Sequence, residues 1–328
     1  MSSDMPSEAV GIVHNRRGGL IFFGMVEILI GLVCAALVPL TVLGIVMNAR
    51  SMGRPLTWIE LRSAVPGALA YGLLALFFVW VGIGSILARR WARALMLVMS
   101  WLWLLLGAIV MGFMVFFLRK TFVEAAQAGT MPPQAQVVMT VVVAVLGFIY
   151  IFLPALFVLF YKSRHVRATC ERTDVRTRWT DRCPLPVLAV SLVLVFSGIN
   201  VATSAVYGVL PCGGRLLTGA PAMAGLAAVA LVCLVLAVPV YRLKCAGWWG
   251  TVALVVASAA STAVTFLRVD LLELYEKMGI ATEGAQQEAL KQVGMLDGRT
   301  IAVWTAVSAA ATIVYLLGVH RFFRRKPA

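Results

Sequence analysis

Two side chains able to do chemistry stand inside long apolar runs of this sequence, where polar groups are costly and mark function. Glu27 lies in Gly24-Met-Val-Glu27-Ile-Leu-Ile-Gly31, about 10 Å into its run at ~1.5 Å per residue. Asn200 lies in Ser197-Gly-Ile-Asn200-Val-Ala-Thr-Ser204. A carboxyl group in hydrocarbon must be neutral, hydrogen-bonded or drawn to a cation. No Arg, Lys, His or Asp lies within the runs to pair with Glu27. It is therefore expected to be protonated, to bond Ser, Thr or Tyr, or to reach Arg16, Arg17 or the Arg89–Arg93 cluster. The arginine tie is the favoured arrangement. A proton or cation site is the sharper alternative. Asn200 sits deeper and at another level, and is expected to make an interhelical hydrogen bond worth about 0.6–2 kcal/mol.

The remaining reactive types form no catalytic pattern. Cys34 and Cys233 fall in apolar runs and act as small apolar residues. Cys170 and Cys183 share one basic stretch with His165, but a zinc site needs a second ligand pair at short spacing. They are expected to be separate reduced thiols without metal. Cys212 and Cys245 each stand alone. His14, His165 and His320 sit among arginines rather than in an apolar pocket suited to haem. There is no His-Glu-x-x-His, no Gly-x-Ser-x-Gly and no Gly-x4-Gly-Lys-Ser/Thr. No catalytic residue, no metal and no cofactor is expected.

The elements that must position these groups are helices in lipid. Of 328 residues, 61% are hydrophobic and 13% charged, with mean hydropathy +0.94. Soluble domains are about 45–50% apolar and about 25% charged, so a water-soluble fold is excluded. Eight runs with little or no charge each have the length of a membrane-crossing helix: 20–47, 64–87, 94–118, 137–161, 185–210, 220–241, 248–267 and 301–319. A β-barrel would alternate in segments of about 10 residues, which these do not. The expected fold is an all-α integral membrane protein.

Charge gives the orientation. The N-terminus, the even-numbered loops and the C-terminus hold 18 of the 28 Lys and Arg. Positive-inside logic places both termini in the cytoplasm. Arg89, Arg90, Arg93, Arg242 and Lys244 form the expected basic cluster at that membrane surface, attracted to anionic headgroups. The net charge of +14 is thus an orientation signal and not a nucleic-acid footprint. Arg16-Arg17 precedes a run too long for a signal peptide, so it reads as an uncleaved first span. The absence of Asn-x-Ser/Thr and the 22 Arg against 6 Lys suggest a bacterial inner membrane.

The chain also reads as two parallel four-helix repeats, 1–165 and 166–328. Phe117-Leu118-Arg119 matches Phe266-Leu267-Arg268 at an offset of 149, which also carries Arg93 onto Arg242. The outer connection 268–299 is expected to be an amphipathic helical hairpin presenting Leu271, Leu272, Tyr275 and Met278. It would be a lid on the bundle or a docking surface. Small residues such as Ala253, Ala257, Ser308 and Thr312 are expected to bring the last two spans close. The expected function is a non-catalytic membrane component: an accessory subunit, scaffold or lipid-interacting protein, with a membrane-protein partner or a second copy. The alternative is a small-solute or ion transporter with its path between the halves near Glu27.

Overall fold

The computed structural model describes residues 15–51, 53, 55, 57–127, 133–269, 271–278 and 298–324. Its main helices are α1 (Arg17–Ser51), α2 (Trp58–Ile86), α3 (Arg90–Gln127) and α4 (Pro133–Gly147). Through a π-turn over Phe148–Phe152, α4 runs into α5 (Leu153–Lys162). A short α6 (Arg164–Thr173) follows, then α7 (Leu185–Ser204), α8 (Ala220–Tyr241), α9 (Cys245–Phe266), α10 (Leu271–Met278) and α11 (Gly298–Arg324). Among the described residues, 8 helical segments are long and apolar enough to cross a membrane. Their outer faces carry Leu76, Leu159, Leu231 and Val303 at 61–70% exposure, as lipid-facing helices require. This is a multi-pass, all-α membrane protein.

The two short hairpins at the basic end are built alike. After α2, Ala88 turns left-handed (φ 50°), Ala88 N–H donates to Ser85 O, and Arg89 N–H donates to Gly84 O. After α8, Leu243 turns left-handed (φ 57°), with Leu243 N–H to Val240 O and Lys244 N–H to Pro239 O. Both are Schellman caps, made here without the usual glycine. The two turns lie 155 residues apart.

Small residues set the closest helix approaches. A Cβ at Gly24 of α1 would lie 2.8 Å from Gly82 O of α2, and one at Gly31 would lie 3.0 Å from Ala75 O. On α7, Ser191 Oγ donates to Ala237 O of α8 at 3.0 Å, and a Cβ at Gly198 would lie 3.1 Å from Ala230 O. The stripe expected to tighten the last two spans does not do so. Ala253, Ala257, Ser308 and Thr312 are exposed, and the Thr312 hydroxyl donates to Ser308 O of its own helix. Instead Trp248 Nε1 of α9 donates to Leu316 O of α11 at 2.9 Å.

At the opposite end the fifth apolar run stops short of Leu210. Two strands, β1 (Val209–Cys212) and β2 (Arg215–Thr218), pair antiparallel with Val209 opposite Thr218. Gly213 and Gly214 make the turn at φ 58° and 90°, the positive values that a two-residue hairpin loop demands. Helix α10 packs on this hairpin. Leu274 is its most buried residue, joined by Val209, Leu216 and Phe266, while the expected Leu271 and Met278 lie at the edge of that cluster. The expected second helix of the outer hairpin lies outside the described residues.

Candidate functional site

Glu27 is 0% exposed, enclosed by three helices. The Tyr161 hydroxyl of α5 donates to its Oε1 at 2.6 Å and lies 3.0 Å from Ser85 Oγ of α2. A phenol has one hydrogen, so while Tyr161 donates to Glu27, Ser85 donates to Tyr161. Glu27 Oε2 is buried without a partner. Phe23, Phe157 and Phe160 surround the tyrosine. The favoured arginine tie is therefore not what holds this carboxyl; the tyrosine and serine do. Three residues near the basic ends of their spans meet at one level, and this shared depth was the available sequence signal.

Asn200 does not join this site. It is exposed on α7, and only its backbone carbonyl is engaged, accepting from the Thr203 and Ser204 hydroxyls. The expected interhelical bond is absent among the described residues.

The basic cluster divides. Arg90 and Arg93, at the first turn of α3, line a cleft of about 330 Å³ with Arg167, Cys170, Glu171, Thr180, Asp181 and Cys183. Arg242 and Lys244 are exposed and do not line it. The far wall comes from α6, whose first turn is capped when Ser163 Oγ accepts from His165 N–H. The backbone N–H of Arg16 donates to Thr169 Oγ1, anchoring the start of α1 to the same helix. Arg89 approaches Asp174 at 3.8 Å, and Asp174 is chelated by Arg178 at 2.9 Å.

Electrostatics in the cleft follow from these pairs. The hydrogen bond from Arg167 at 2.8 Å holds the Glu171 carboxyl below its ordinary range. The hydrogen bond from Arg178 does the same for Asp174. Burial pushes the Cys170 and Cys183 thiols up to about 11, so both are protonated at neutral pH and are poor nucleophiles. Both are free thiols lining the one cleft. No group of three or more His, Cys, Asp or Glu suited to a metal occurs among the described residues. Sequence reasoning found Arg90 and Arg93 but missed Thr180, Arg167 and Asp181. A polar loop gives no period from which to place them.

Fold and sites together define a multi-pass α-helical membrane protein with one sealed carboxyl group and one basic interfacial cleft. Compared with protein-family models, curated proteins and solved structures, the chain matches none.

Proposed function

We propose that this protein is a non-catalytic, lipid-interacting component of a bacterial inner membrane, with both termini in the cytoplasm. The observation that carries this reading is the distribution of charge. The intramembrane carboxyl is closed off between α1, α2 and α5, whereas guanidinium groups line an open cleft where headgroups lie. A coupling carboxylate would need access from water, and Glu27 is 0% exposed. The 18 basic residues at the cleft's end support the cytoplasmic placement.

The reading includes two parallel four-helix repeats, and burial supports it position by position. On α1, Leu20, Gly24, Glu27 and Gly31 are buried; on α7, Val187, Ser191, Leu194 and Gly198 are buried, each at an offset of 167. On α2, Ala75, Phe78, Gly82 and Ser85 are buried; on α8, Ala230, Cys233, Ala237 and Val240 are buried, each at 155.

The test is purification in mild detergent, with mass spectrometry of bound lipids and co-purifying proteins. Enrichment of anionic over zwitterionic lipid is expected. The reading fails if lipid is bound without preference while reconstituted wild type shows a pH-driven flux that Glu27→Gln lacks. That outcome establishes the transporter.

A further inference from the structure

The cleft holds more positive charge than its own acidic residues offset. Glu171 is engaged by Arg167. Asp181 is shared between Arg90, at a loose 3.8 Å, and the backbone N–H of Arg178. The Arg93 guanidinium makes no hydrogen bond or ion pair among the described residues, and its buried Nε has no partner. The buried Nε of Arg90 has none either. Thr180 is 2% exposed, lines the cleft, and leaves its Oγ1 without a partner. Buried donors left unpaired in this way call for an acceptor. They converge at the first turn of α3, where unpaired backbone N–H groups and the helix dipole favour an anion.

We propose that this cleft binds a phosphate group, held by the guanidinium of Arg93 and the hydroxyl of Thr180 against the N-terminus of α3. A guanidinium offers phosphate a planar fork of donors, which a spherical chloride uses less fully. The cleft's size, about 330 Å³, suits a small phosphoester or a lipid headgroup and not a large cofactor. Ala94, Pro184 and Leu185 form an apolar edge, suited to the glycerol end of a phospholipid. The phosphate therefore comes from a headgroup or from a free phosphoester. This inference deepens the lipid-interacting reading but stands on the unpaired donors alone.

The experiment uses the full chain in nanodiscs of phosphatidylcholine, alone or mixed with an equal amount of phosphatidylglycerol. Wild type, Arg93→Gln and Thr180→Val are compared by native mass spectrometry and by thermal unfolding with inorganic phosphate, with chloride at matched ionic strength as control. Losing one charge-assisted hydrogen bond is expected to weaken binding roughly tenfold or more. Phosphatidylglycerol retained by wild type and lost by both variants assigns the site to a headgroup. Stabilisation of wild type alone by inorganic phosphate in pure phosphatidylcholine assigns it to a free phosphoester. Should Arg93→Gln fail to fold, Thr180→Val, which has nearly the same shape, decides. Wild type responding to neither probe, or variants equal to wild type in both, overturns the proposal. Anionic-lipid enrichment that survives both variants removes this site but leaves the broader reading intact. A phosphate response without any lipid preference does the reverse.

Discussion

Removing the Tyr161 hydroxyl tests whether the polar trio is a unit. Tyr161→Phe keeps the ring among Phe23, Phe157 and Phe160 but deletes the donor 2.6 Å from Glu27 Oε1. Glu27 Oε2 already lacks a partner, so the carboxyl loses the donor nearest to it. Stranding a buried polar group costs about 1–3 kcal/mol in soluble proteins. Interhelical bonds in membranes average about 0.6 and reach about 1.7 kcal/mol, so a loss of about 1–2 kcal/mol is expected. Glu27→Gln keeps a carbonyl acceptor for the phenol and should change stability by less than about 1 kcal/mol. The triple replacement Glu27→Leu, Ser85→Val, Tyr161→Phe strands nothing. A packed apolar set commonly equals or exceeds the buried polar set it replaces, so the triple should be more stable than Tyr161→Phe alone. Thermal unfolding of the four proteins in one detergent measures this. Losses that add, with the triple variant the least stable, would refute the reasoning, because independent groups behave so and a network does not.

Gly24→Ala and Gly82→Ala should each destabilise the α1–α2 pair by about 1–3 kcal/mol, since the new methyl meets a backbone carbonyl at 2.8 Å. Gly18→Ala and Gly44→Ala, with nothing within 4 Å, should be neutral in the same unfolding assay. With all other cysteines replaced, native Cys212, exposed at the strand end, should react with an impermeant thiol reagent in intact cells. A cysteine placed at Val175, 80% exposed at the basic end, should stay unlabelled, and the reverse pattern would invert the topology. Asp174 is held below its ordinary value of 3.8 by Arg178, so its contribution is complete above that value and is lost as pH falls through the lower folded one. Protection of the α6 amides, corrected for the intrinsic pH dependence of exchange, should therefore fall on acidification through that window, and Asp174→Asn should remove the part due to Asp174 while leaving that of Glu171.

What the sequence displays well is anything set by a long, uniform signal. The run at 220–241 coincides with α8 because lipid demands an unbroken apolar helix of that length and punctuation at Gly219 and Arg242 ends it. Glu27 was legible as exceptional for the same reason. Its partners were not, because Tyr161 and Ser85 lie 134 and 76 positions apart from Glu27 and from Tyr161 respectively, on helices whose rotation composition does not encode. These helices are apolar all round, so no polar stripe reveals which side turns inward. The β1–β2 hairpin was hidden because Val-Leu-Pro-Cys continues an apolar run. Only Gly208 and Gly213-Gly214 signal the break. The cleft was hidden for the opposite reason: its residues come from a polar segment with no period and from the first turn of α3, and only folding brings Thr180 beside Arg93.

The two halves differ where chemistry is concentrated. Under the proposed repeat, Glu27 aligns with Leu194 and Ser85 with Val240, both buried and apolar. Helix α11 buries Leu316, Val319 and Phe323 with the spacing at which α5 buries Pro154, Phe157 and Tyr161, so Phe323 takes the place of the tyrosine. The second half therefore fills with Leu, Val and Phe the positions that the first fills with Glu, Ser and Tyr. A scaffold that packs an apolar set at these positions does not need the polar set to fold. The location of the trio says what it adjoins. Tyr161 shares one core cluster with Val166 and Cys170 of α6, and Cys170 lines the cleft. The polar trio and the cleft therefore meet through α6, in one contiguous part of the fold.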